Sequence, residues 1–571
     1  MPNPLSPQLA ALADQGIRWV AITWVNHAGA PLVKVVPLAA FDAAAAVGVG
    51  FSPVSDAFRA DGAIDPAHRL AKPDGDLRLR AAAAALALLE PSSGWAWAPG
   101  ERFERSGEPY VGDQRHRCRL QQEQLHQAGV ELRAGFELEW LVASHRPDAD
   151  PKPAMPGGPY GADRLVEGLD YATALLDGLE AAGIPWLQFH PEYGAGQFEL
   201  SLAPGTPLEA ADRLVHARLV IQRVTRRFGW HSGWRCSFSP KPSLELVGNG
   251  GHLHLSLQRD GQPLLQGGAG PGGLTDAGVA VLAALLEELP ALLALACPLE
   301  ISYRRLAPGS WSAPFQVWGI ENREAALRLI PTAADGAAAH LELKVVDLAA
   351  NPYLLLAAVQ GLALAGLEQA RPLPPPVSGD PARLPVGVAV RLPASLAQAS
   401  AKLSWPRRTP CGHWWAGWLE PAWFLCFSTF PALPPCRPSR PCQPLLRRRR
   451  CASCWQHLPP TQAASMPPEQ AWGLPWSCTA SPGSTSCRCG SASGLCQCRQ
   501  GGLRSPPCWR ARPGCWWWGA PPGARARPRP CAGCLSWAGK CRCRGCAPRL
   551  SPPQAGPIPA ARWWCSTACA P

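Results

Sequence analysis

The sequence predicts an α+β protein, and three observations predict it. Four short segments alternate strictly between apolar and chemically special side chains, which marks strands with one buried face. Apolar stretches with helical periodicity separate and follow them. The composition then breaks abruptly near residue 400, so only the first 400 residues read as one folded protein.

The charge shows the break most plainly. Over 571 residues, 54 Lys+Arg against 42 Asp+Glu give a net +12. Residues 1–400 hold 32 basic and 40 acidic side chains, net −8, whereas residues 401–571 hold 22 and 2, net +20. Three cysteines (Cys118, Cys236, Cys297) lie in the first part and twenty in the second. So few in the first part argue against a disulfide framework and for a reducing compartment. The N-terminus lacks a basic region followed by an apolar one, so no secretory signal is expected. The longest apolar runs, residues 81–89, 277–286 and 353–367, fall short of the about 20 residues that span a bilayer. We therefore expect a soluble cytoplasmic protein with no membrane partner.

In chain order, a helix is expected at residues 7–15, then strands at 18–25 and 31–36 joined by a turn as a hairpin. Residues 37–110 mix Ala-rich helical stretches with loops and complete a small first domain. A polar helix at 115–128 opens a second domain, residues 111–400, that carries the strand segments. Helical periodicity returns at 277–296 and 354–370, and a proline-rich loop follows at 371–385.

The four alternating segments carry the chemistry. Residues i and i+2 of a strand share a face, roughly 7 Å apart. In FELEW these are Glu137 and Glu139, and in QFEL they are Gln197 and Glu199, with Glu192 just upstream. In HLHLSL they are His252, His254 and Ser256, and in HLELKVV they are His340, Glu342 and Lys344. A merely solvated face would mix Thr, Ser, Lys and Arg. Five carboxylates converging on one surface repel unless cations sit among them. Carboxylates with one imidazole suit Mg²⁺ or Mn²⁺ rather than structural zinc, and a pair of ions points to phosphoryl chemistry. Arg304, Arg305, Arg323 and Arg328 supply guanidinium groups that grip phosphate or carboxylate. Taken alone, ENREAALRLI reads as a solvated helix face on which Glu324 pairs with Arg328.

In order, the motifs GFELEW, HPEYGAGQFEL, SPKP with GNGGHLHLSL, SYRRLAPGSW, WGIENREAALRLI and ELKVVDLAANPYL resemble the glutamine synthetase family over roughly residues 15–400. The resemblance implies an N-terminal β-grasp domain (1–110) and a catalytic domain (111–400) with a curved antiparallel sheet flanked by helices. It also implies an ATP-dependent ligase that phosphorylates the γ-carboxylate of glutamate and lets ammonia displace phosphate. Another primary amine or polyamine, or a non-catalytic relative, are the alternatives. By resemblance, Glu139, Glu192 and Glu199 hold one of two Mg²⁺ or Mn²⁺ ions, and Glu137, His252 and Glu342 hold the other. His254 contacts phosphate, and Arg323 and Arg328 bind ATP and stabilise the moving phosphoryl group. Gly248, Gly250, Arg305 and Lys344 surround glutamate. The family also implies a homo-oligomer with active sites shared between subunits.

The sequence departs from the family pattern at the amine. Ammonia-using members carry a Glu before the Ala-Pro of the flap, where Ser312 stands here. The N-terminal loop GFSPVSDAF has Ser52 near the expected Asp, with Asp56 its only carboxylate. Lys344 stands where many members have Arg, and a point charge does not reproduce a bidentate fork.

Residues 401–571 hold 15 of the 25 Trp and no Asp, Asn, Val or Tyr. Three CxxC pairs, such as Cys451 with Cys454, are about what chance gives among twenty cysteines. The basic runs at 447–450 and 524–530 come with no folded module, so a nucleic-acid partner is not expected. The composition matches an out-of-frame reading of a GC-rich gene, with residues 401–571 a low-complexity segment without a stable fold. Sequencing the gene around codon 400 should reveal another frame that encodes a helical C-terminus. A continuous frame matching this composition in related genes would overturn that reading.

Overall fold

A computed structural model describes residues 5–403, apart from 27–28, 60, 65, 67, 69, 91–92, 145–149 and 333–337. The expectations for residues 404–571 lie outside the described residues. The first part runs α1 (Pro7–Asp14), β1 (Trp19–Val25), β2 (Pro31–Pro37), α2 (Phe41–Ala46), β3 (Val49–Phe51), β4 (Leu77–Ala81), β5 (Ala87–Glu90) and β6 (Trp95–Phe103). These strands form one sheet in the order β2-β1-β6-β4-β3, with β5 on β6. β1 and β2 make the expected antiparallel hairpin, and β1 runs parallel to β6. A core built on Leu9, Val20, Ile22, Phe41 and Leu79 closes one face.

The second part runs α3 (Gln114–Gln127), β7 (Val130–Ser144), β8 (Lys152–Pro153), α4 (Ala162–Glu167), α5 (Leu169–Ala181), β9 (Trp186–Pro191), β10 (Gln197–Leu202), α6 (Pro207–Ser232), β11 (Trp234–Ser237), β12 (Leu253–Arg259) and β13 (Gln262–Pro263). It continues with α7 (Asp276–Ala296), α8 (Ser302–Arg305), β14 (Trp318–Ile320), β15 (Leu327–Ile330), β16 (His340–Leu343), α9 (Pro352–Glu368) and α10 (Leu396–Leu403). Its sheet has the order β14-β15-β16-β12-β7-β10-β9 and is antiparallel except at β14–β15. Alternation builds it as expected. Phe136, Leu138, Trp140, Phe198, Leu200, Leu253, Leu255, Leu341 and Leu343 are buried in one core on the helical side.

The helices start where local chemistry caps them. Thr206 and Glu209 form a capping box at α6, with Pro207 in its first turn. Asn351 caps α9 through the backbone N–H groups of Tyr353 and Leu354. The same Asn351 donates from Nδ2 to the Asn26 carbonyl (2.9 Å), which ties the β1–β2 turn to the second sheet's helices. α7 is longer than the apolar run suggested. At 21 residues and a mean hydropathy of 2.1 it matches a membrane span by length and composition, but 78% of that window is buried inside the protein. It packs on α9 as a core helix. ENREAALRLI is not a helix. β14 ends at Ile320, a turn follows, and β15 begins at Leu327, because Leu327 and Leu329 fill the sheet's buried face.

His216 of α6 stacks on Trp97 of β6 (centroids 4.4 Å apart, 14° between planes) and donates from Nε2 to the Leu88 carbonyl at 2.8 Å. Burial pushes its pKa down to about 4, so it is neutral when folded. The unfolded chain binds this proton below about pH 6.5 and the folded chain only below about 4, so the linked stability is lost as pH falls through that window. The effect is of order 3 kcal/mol. Thermal melts should therefore show His216→Gln with a shallower loss of stability between pH 6.5 and 4 than the parent. Parallel curves would refute this.

Candidate active site

Register brings the special residues together. Arg328, Glu342 and His254 lie directly opposite one another across β15, β16 and β12. Glu139, Glu199 and His190 form a second row across β7, β10 and β9. His254 faces Gly135 on β7, and that absent side chain leaves room for Glu137, two residues along. Glu137 joins the two rows, with Oε2 3.0 Å from His252 Nδ1 and Oε1 3.1 Å from His254 Nε2.

Two groups of donor atoms converge, each with all its atoms within 4.8 Å of one another: Glu137, His254 and Glu342, and His190, Glu192 and Glu199. The sets differ in part from those the resemblance implied. His252 lies beside the first group, 3.3 Å from Glu342 Oε1, and 3.7 Å from Glu139 Oε1. Glu139 accepts from Gln197 Nε2 (3.1 Å) and from the Gly250 N–H (2.9 Å). His190 is an addition. Its i, i+2 spacing to Glu192 was the same signal that found the other pairs.

The electrostatics explain why cations fit here. Burial opposes ionisation of Glu137, but His252 and His254 hold its carboxyl far below the usual range. Burial likewise works against Glu342, which Lys344 and the two histidines lower to about 2. Glu199 has less help, since only Lys344 works in that direction. Burial and the neighbouring Glu137, Glu139 and Glu192 push it up to about 10. Burial and Glu139 push Glu192 up to about 7. One group of carboxylates is thus neutralised by imidazole and ammonium, and the other competes for protons. Oxygen-rich sets of this kind suit hard divalent cations, which replace those protons.

Backbone holds the set in place. Arg164 is fully buried and spends its guanidinium on carbonyls, with Nη1 donating to Glu192 (2.6 Å) and Nη2 to Gly194 and Gln197 (both 2.7 Å). It fixes the loop between β9 and β10, and nothing in ADRLVE distinguished it from a surface arginine. A Cβ on Gly250 would sit 2.5 Å from His252 Nε2 and 2.8 Å from Glu139 Oε1. One on Gly248 would sit 2.5 Å from Arg305 Cγ.

The arginines divide. Arg328 donates from Nη1 to Glu342 Oε2 (3.1 Å) and pairs with Glu321 through Nη2, not with Glu324. Arg323 is exposed. Arg305 is buried and donates from Nη2 to the carbonyls of Val345 (2.7 Å), Val346 (2.8 Å) and Lys344 (3.3 Å), while its Nε has no partner. Lys344 is buried and donates from Nζ to Glu342 Oε1 at 3.0 Å. Asp56, the only acid of the N-terminal loop, is buried inside the first sheet. Its Oδ1 takes a 2.6 Å bond from Arg102, which also binds Asp113. Ser312 is buried too, its hydroxyl turned back on Ala307 of its own loop.

A family model described as glutamine synthetase, catalytic domain, matches residues 111–406. A curated relative from Streptomyces coelicolor, named gamma-glutamylpolyamine synthetase GlnA3, is 44% identical over 68% of this chain and 85% of its own length. A glutamine synthetase of Frankia alni is 37% identical over 41% of this chain and 49% of its own. Among solved structures, a novel glutamine synthase homolog superposes with a TM-score of 0.62 at 29% identity, covering 74% of this chain and 94% of that one.

Saturating Mg²⁺ or Mn²⁺ should raise the melting temperature of the metal-stripped protein, since a ligand that binds only the folded state stabilises it. Glu137→Gln and Glu199→Gln should each remove much of that increase. Gly250→Ala should do the same by displacing His252 and Glu139. Unchanged cation-dependent shifts in all three variants would refute the assignment.

Proposed function

Because the chain belongs to the glutamine synthetase family, we propose that it is a γ-glutamyl ligase whose attacking nucleophile is an aliphatic amine or polyamine rather than ammonia. The coarser activity, ATP-dependent amide formation on the γ-carboxyl of glutamate, comes with the family. The finer choice rests on one observation. Ser52 stands near the expected acid of the N-terminal loop, Asp56 is buried with its Oδ1 on Arg102, and the flap carries Ser312 where a carboxylate would stand. A bare ammonium ion has only its charge to be held by, and neither place offers it a carboxylate, whereas an alkyl amine can also be held through its methylenes. The similarity to a relative named for polyamine points the same way.

In this reading two Mg²⁺ or Mn²⁺ ions bind per site. Glu139, Glu192 and Glu199, with His190 beside them, hold the one nearer glutamate. Glu137, His252 and Glu342 hold the one nearer ATP, with His254 against the phosphates. Such ions polarise phosphate oxygens and offset the charge of the transferring group. Arg323 and Arg328 add positive charge to the phosphoryl group as it moves. Arg305, Lys344 and the Gly248–Gly250 backbone orient glutamate. The lone pair of the neutral amine then attacks the γ-carbonyl carbon of γ-glutamyl phosphate, the carbon–oxygen bond to phosphate breaks, and the departing phosphate takes up the proton lost from nitrogen. We further propose the division at residues 110 and 400, a cytoplasmic location, and a homo-oligomer with shared active sites. The two separate hydrophobic clusters support the first of these.

The test is phosphate release by the purified full chain with ATP, glutamate and Mg²⁺. Release should depend on glutamate and rise several-fold with 1,4-diaminobutane, while equal ammonium has little effect. Stimulation by ammonium alone would overturn the choice of amine. ATP binding without release under any amine would mark a non-catalytic relative.

A further inference from the structure

Three loops bring together an acid and two rings that none of the assigned roles uses: Trp311 of the flap (residues 307–314), Tyr193 after β9, and Glu324 between β14 and β15. Trp311 is 53% exposed and sits in the left-handed region (φ +52°). Its ring meets Tyr193 edge-on, centroids 6.0 Å apart at 89°, and Tyr193 is itself 48% exposed. Tyr193 directly follows Glu192, so this aromatic pair stands at the edge of the second donor group. The Trp311 backbone N–H donates to Glu324 Oε1 at 2.7 Å.

Glu324 is an unusual acid. Only 8% of it is exposed, and its Oε2 is buried with no hydrogen-bond partner among the described residues. Such a group costs free energy unless something meets it. The turn that carries it is pinned, with Asn322 Oδ1 accepting from the Glu324 N–H and Asn322 Nδ2 bonding to the carbonyls of Val377 and Gly379. Burial raises the Glu324 carboxyl above its ordinary range, and the charge of Lys344 works against that. A held carboxylate with a free oxygen, beside two half-exposed rings, is what an alkylammonium ion needs: one charge partner and π faces for the cation and its methylenes.

We propose that Glu324, Trp311 and Tyr193 form the subsite for the second ammonium group of an aliphatic diamine or polyamine. The first amine then attacks the activated glutamate. The inference rests on the amine-ligase reading and names the substrate class within it. It also assigns a use to the acid that the sequence placed on a solvated helix face.

Two amines of equal length, 1,4-diaminobutane and 1-aminobutane, separate the possibilities in steady-state kinetics on the full chain. Glu324→Gln keeps an oxygen for the Trp311 N–H and removes only the charge. It should raise the KM for the diamine about tenfold or more, leaving kcat and the KM for ATP, glutamate and the monoamine near their parent values. Trp311→Phe should keep most of the diamine affinity, and Trp311→Ala should lose it. Equal changes for diamine and monoamine, or none for either, would overturn the subsite while leaving the ligase standing. A parent enzyme that turns over neither amine would overturn both readings.

Discussion

Everything in the second part of this protein is arranged around a concentration of like charge. Glu137, Glu139, Glu199 and Glu342 stand on one sheet with Glu192 just past the end of β9, and all five are buried or half-buried. The fold tolerates this because it brings the counter-charges in on the same strands. Lys344 lies two residues from Glu342, His252 and His254 reach Glu137, and Arg328 sits opposite Glu342 in register. Where that compensation ends, at Glu192 and Glu199, the carboxyls draw protons instead. A cation in the site completes an arrangement that protein side chains leave unbalanced.

The same constraint explains the rigidity of the surroundings. A buried arginine with only carbonyl partners fixes the Glu192 loop, and glycines at 248 and 250 let the backbone pass beside His252 and Arg305. The helices behind the sheet carry the weight of folding through ordinary apolar burial, which leaves the polar face free for chemistry. Asn351, capping α9 and gripping the β1–β2 turn at once, couples that scaffold to the first sheet.

The amine end of the site follows another logic. Both places where the family pattern leads one to expect an acid hold serine: Ser52, with the nearby Asp56 tied to Arg102, and Ser312, which bonds to its own loop. The subsite proposed for the amine is instead a buried carboxylate behind exposed rings. Charge that is deeply held yet unpaired, next to apolar surface, suits a ligand both cationic and oily. A bare ammonium ion is only the first.

The sequence by itself determined the fold class and the strands, and put the acids and imidazoles of the candidate site on shared faces. Alternation is a local property, and i, i+2 spacing puts Glu137 with Glu139, or His252 with His254, on one face before any folding is considered. The same rule could have found His190 beside Glu192. It failed where residues read as surface charges. Arg164 in a short polar helix, and Glu324 and Arg328 in a stretch with helical spacing, gave no local sign of burial or of strand. Their roles come from partners far along the chain: Glu192 and Gln197 for Arg164, Glu342 for Arg328, the Trp311 backbone for Glu324. Only tertiary structure decided whether Asp56 was free or spent, because Arg102 lies 46 residues away. Local pattern fixes which face a side chain shares, and long-range packing decides what it meets there.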